Sequence, residues 1–65
     1  MELEKLIRLM DKDIRITVLN HQGKIAAGGL VSEYNGSHAH DTVTRISMAD
    51  GVLEITVDNW SILWH

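Results

Sequence analysis

The chain has 65 residues, nine acidic against six basic side chains for a formal charge of −3, and no cysteine. That length makes one domain, residues 1–65, and the missing cysteines exclude disulfides and thiolate metal sites. The acidic balance weighs against nucleic acid, whose binders show a basic face that displaces phosphate counterions. A chain this short buries only about 60% of its unfolded surface, so a regular barrel or self-association has to support it.

Glu2 to Met10 is predicted as a short amphipathic helix. Leu3, Leu6, Ile7 and Met10 fall at i, i+3, i+4 and i+7, and Glu4 stands four residues before Arg8. Such a helix does not form alone in water, so its apolar face must dock on the rest of the domain. Leu9 lies off that face. The first strand is predicted over Asp13 to Leu19, with Ile14, Ile16 and Val18 on one side. Asn20-His21-Gln22-Gly23 follows as a tight turn in which Gly23 supplies positive φ.

Lys24 to Tyr34 reads as a long second strand. Its alternation changes phase at Gly28-Gly29, which predicts a β-bulge or bend there, as at a barrel corner. Asn35 to Asp41 is a polar loop. Thr42 to Ala49 and Val52 to Val57 then flank Asp50-Gly51, the strongest local signal for a hairpin. Asp58-Asn59 precede a last predicted strand from Trp60 to His65. The fold class is therefore mainly β, a short N-terminal helix followed by about five strands. Leu6, Ile7, Ile14, Ile16, Val18, Leu30, Ile46, Leu53, Ile55 and Val57 are the expected core.

The helix, the strand Ile14-Arg15-Ile16-Thr17-Val18, the turn at Gly23, and Gly28-Gly29 followed by Leu30-Val31 resemble the first half of an Sm-like, SH3-type small barrel. The resemblance covers about residues 2–34 and implies a closed barrel with a habit of forming oligomers. After Tyr34 the chain departs from the family. Asn35-Gly36-Ser37-His38 stands where an Asp-x-x-Met-Asn element would contact RNA, and the later Arg/Lys-Gly element is missing. No RNA-site residue carries over, and fold alone does not give function.

Three places invite a functional reading. His38 and His40 would share one face of an extended segment, where two imidazoles could hold a metal. The compact ligand sets of structural zinc sites are missing, so a solvated polar loop is the plainer account and neither metal nor cofactor is expected. Tyr34 could stack on a base, but at a strand end it is more naturally a half-buried cap with its hydroxyl in water. Trp60, Ile62 and Trp64 would lie on one face of the last strand with Leu63 on the other. They either complete a core that lacks phenylalanine or form a binding surface, where tryptophan is enriched.

Nothing fills the nucleophile, base and oxyanion roles of catalysis, so an enzyme is not expected. The expected function is a non-enzymatic protein-interaction module that self-associates through its C-terminal strand, with Tyr34, His38 and His40 as further binding candidates. A mobile-element or phage accessory protein fits this description, though no residue demonstrates that origin. An Sm-like nucleic-acid binder is the alternative. With no membrane-spanning stretch and no signal-peptide pattern, the expected location is the cytoplasm.

Overall fold

The structure, a computed structural model, describes residues 1–59. One helix, α1 (Leu3–Arg8), precedes four strands: β1 (Arg15–Leu19), β2 (Ile25–Leu30), β3 (Val43–Ala49) and β4 (Val52–Val57). They form one mixed sheet in the order β2-β1-β4-β3. Two antiparallel hairpins, β1–β2 and β3–β4, meet through a parallel pairing of β1 with β4.

Alternation decides which residues share a face. Ile16 and Val18 of β1 lie beside Leu53 and Ile55 of β4, and Val57 continues that row. Against this face α1 sets Leu3 and Ile7, and Val31 closes one side. Leu3, Val18, Ile55 and Val57 are fully buried. Leu6, Met10, Ile14 and Leu53 pack around them, half-buried. The opposite, more polar face carries Thr17, Glu54, Thr56, Arg45 and Ser47 beside the apolar Leu19 and Ile25.

The hairpin predicted at Asp50-Gly51 forms, with φ of 52° and 78° at those two residues. Both central φ values are positive, as the twist of adjoining strands requires of a two-residue turn. The Asn20–Gly23 turn also forms, with Gly23 at φ 82°. Asn20 locks it: its buried side-chain Oδ1 accepts from the backbone N–H of Gln22 and Lys24 at 2.9 and 3.0 Å. Glu4 pairs with Arg8 at 2.6 Å as the i, i+4 spacing predicts.

Four expectations need correction. The four strands of the described residues form an open sheet, not the closed barrel that the Sm-like resemblance implied. The segment predicted as the fifth strand, Trp60 to His65, lies outside the described residues. The second strand does not run to Tyr34. It ends at Leu30, and Val31–Glu33 turn as a 3₁₀ helix because the Glu33 carboxylate reaches back to accept the Leu30 N–H at 2.9 Å.

The bulge is not at the glycine pair. Gly28 and Gly29 sit in register with Thr17 and Ile16, and the register shifts instead between Val18 and Leu19, opposite Ala26. Gly29 still has a reason to be glycine. Its φ is 123°, and an added Cβ would stand 2.8 Å from Glu33 Oε1. Finally, Ile46 is not core. It faces Ile55 across the hairpin yet remains 49% exposed, and of β3 only Val43 packs against the core cluster that holds Leu3 and Ile7.

Candidate functional site

The loop from Asn35 to Asp41 is built around the start of α1. A helix leaves its first N–H groups without intrahelical partners. Here the Asp41 and Ala39 carbonyls accept from Leu3 and Glu4 at 3.0 and 2.9 Å, so loop backbone does what an N-cap side chain usually does. Glu2 adds a bridge to Thr42, and the Met1 carbonyl accepts from the Val43 N–H at 2.8 Å.

Within this loop His38 takes φ of 59°, a left-handed conformation in which histidine is several-fold enriched among non-glycine residues. Its Nδ1 lies 2.9 Å from Asp41 Oδ2, and Asn59 Nδ2 donates to the same carboxylate oxygen at 2.8 Å. The carboxylate can only accept, so Nδ1 carries the proton and donates to it. Asn59 Nδ2 also lies 3.2 Å from Nδ1, but with the proton on Nδ1 both atoms are donors and do not bond each other. The triad of side chains fastens the loop to the residues just past β4.

His40 takes a different partner. It is 82% exposed, with Nδ1 3.5 Å from Glu2 Oε2. The two imidazoles expected on one face therefore belong to separate contacts, since the segment is a turn and not extended. Among the described residues no three His, Cys, Asp or Glu side chains are grouped to hold a metal ion. Tyr34 follows the 3₁₀ turn and not a strand end, and it is half-buried against the core. Its hydroxyl is not left to water, however, but donates to the Ser37 carbonyl at 2.6 Å. Burial first, and then the carboxylates of Glu4 and Asp41, push its phenol above the ordinary range. Trp60, Ile62 and Trp64, the other predicted site residues, lie outside the described residues.

Beside Tyr34 a groove of about 350 Å³ runs over Ile16, Val18 and Ala27 to a polar rim at Glu33 and Ser37. Among the described residues no helix is long and apolar enough to cross a membrane.

The surface that alternation alone did not expose is β3. Ile46 and Met48 stand on the core face, next to Ile55 and Leu53, and are 49% and 65% exposed. Among the described residues no strand pairs with the outer edge of β3 beyond the contacts of Met1 and Glu2 at Thr42 and Val43. An open edge with apolar side chains is what natural sheets usually blunt with lysine, proline or a bulge. From Arg45 to Ala49 this strand has one charge, Arg45, and no proline. The alternation of this strand was legible in the sequence, but its exposure was not.

Comparison of the chain with family models, with curated proteins and with solved structures gives no match.

Proposed function

We propose that this protein is a non-enzymatic protein-interaction module that self-associates or binds another protein through the free edge of β3. The single observation that carries this is the exposed apolar pair Ile46 and Met48 on an edge that no described strand covers. Strand addition to such an edge gains affinity from main-chain hydrogen bonds and specificity from alternate side chains. The apolar segment at Trp60, Ile62 and Trp64 belongs to the same proposal as a second contributor, on its composition alone. The nucleic-acid alternative draws no support from the sheet, since Arg45 shares its polar face with Glu54.

Sedimentation of the wild type and of Met48→Lys across micromolar concentrations tests this. The wild-type mass should exceed one chain and rise with concentration, while the folded variant should stay at one chain or lose its captured partner. Equal behaviour of the two proteins, with no Met48-dependent partner, would contradict it.

A further inference from the structure

We propose that the partner seated on β3 is a second copy of this chain, its β3 laid antiparallel to the first about a twofold axis at Ser47. The inference rests on β3 being an interaction surface and gives that surface its occupant and register.

Backbone direction comes first. Ala49 and Val52 flank the two-residue Asp50-Gly51 turn, so they face each other as a hydrogen-bonded pair. Bonded and non-bonded pairs alternate along an antiparallel ladder. Ser47–Glu54 and Arg45–Thr56 are then bonded, and Ile46 and Met48 turn their N–H and C=O groups outward. Those four groups face the open edge.

A twofold at Ser47 sets Ile46 opposite Met48 of the second copy, and Met48 opposite its Ile46. All four outward groups of each chain find partners. The same pairing brings together the two exposed apolar side chains of β3, both on the core face. On the polar face Arg45 falls opposite Ala49 of the second copy and beside its Asp50, which joins opposite charges.

Neighbouring registers do worse. A twofold at Ile46 pairs Met48 with Thr44, the residue that breaks the register with β4, and Ala49 with Val43, whose N–H already bonds the Met1 carbonyl. A twofold at Met48 sets Ile46 against Asp50 in the turn. With the axis at Ser47, the second copy's turn ends where Met1 begins to occupy the edge.

The chain has no cysteine, so a single introduced thiol reports this register without interference. Ser47 would form a non-hydrogen-bonded pair with its own copy, at a Cα separation of about 4.5 Å that a disulfide can span. Ser47→Cys should therefore cross-link to itself under mild oxidation at micromolar concentration, and adding Met48→Lys should abolish the cross-link. Arg45→Cys alone, or Ala49→Cys alone, should cross-link several-fold less, since each stands about 13 Å from its own copy. A mixture of those two variants should cross-link well. Equal cross-linking at all three sites, or none at Ser47→Cys, would overturn the register. If a wild-type mass above one chain still depends on Met48 in that case, β3 remains an interaction surface and only the proposed pairing fails. A strictly monomeric chain that captures a different protein in a Met48-dependent way would overturn the second copy as occupant.

Discussion

Ile46 and Ile55 face each other across one hairpin, on the same side of the same sheet, in strands of almost the same alternation. Ile55 is fully buried, and Ile46 is half exposed. The difference lies in what passes overhead. Leu3 and Ile7 of α1 share the core with residues of β1 and β4, whereas of β3 only Val43 packs against that core. The other edge strand, β2, makes a second contrast. It is interrupted by a register shift opposite Ala26, carries Gly28 and Gly29, and ends where Glu33 takes the Leu30 N–H. One edge of the sheet is blunted in ways that natural proteins use against edge pairing, and the other is left straight and apolar from Arg45 to Ala49.

The largest expected effect comes from the facing isoleucines. Ile55→Ala should cost about 2–5 kcal/mol, because it removes buried methylene groups from a packed core. Ile46→Ala should cost under about 1 kcal/mol in the isolated chain, since half of that side chain is already in water. Urea unfolding at low protein concentration measures both. Equal losses would mean that β3 is covered as well as β4 is.

The glycine pair of the blunted edge should show a smaller but equally direct contrast. Gly29→Ala meets a backbone at φ 123° and the Glu33 carboxylate at 2.8 Å, and should lose about 1–3 kcal/mol. Gly28→Ala brings a Cβ to 3.6 Å from the Ile16 carbonyl oxygen, an ordinary contact, and should change stability by about 0.5 kcal/mol or less. Thermal melts of the two variants decide this. If both are neutral, the end of β2 does not depend on Gly29.

The smallest effect concerns the loop that caps α1, on which the cover over β1 and β4 depends. The Tyr34 phenol is raised in the folded protein, by burial first and then by Glu4 and Asp41. The unfolded chain therefore releases that proton first, near pH 10, and binds fewer protons than the folded chain above that point. Stability from this group is complete below about pH 10 and falls as pH rises through the folded value. Tyr34→Phe should flatten this alkaline loss relative to the wild type in melts between about pH 9 and 11. An unchanged alkaline slope would remove Tyr34 as its source.

Much of this was legible in the sequence, for local reasons. Asp50-Gly51, Gly23 and the spacing of Leu3, Leu6, Ile7 and Met10 act through nearest neighbours, and the structure places turns and helix where those residues put them. Alternation set both Ile46 and Ile55 in the expected core but left open which face of that hairpin turns inward, since Val43 and Leu53 cannot both be placed by it. It could not tell that the face is covered at one strand and bare at the next, which is a matter of where a short helix lands. The end of β2 depends on one side-chain bond, from Leu30 to Glu33, in a stretch whose residues otherwise suit a strand. The parallel pairing of β1 with β4 joins strands far apart in the chain, and no local pattern marks it. The histidines of the loop showed the same limit. His38 is held by Asp41, whose carboxylate Asn59 also holds from 18 residues away, while His40, two residues from His38, turns to Glu2.

Amide hydrogen exchange at Ile46 and Met48, followed by NMR from low to high protein concentration, tests the central claim most directly. If β3 is an open edge that another chain completes, both amides exchange fast in dilute protein and become protected as concentration rises, while Ile55 stays protected throughout. Protection of Ile46 and Met48 that is already complete in the dilute monomer, or that never appears at any concentration or with any partner, would contradict it.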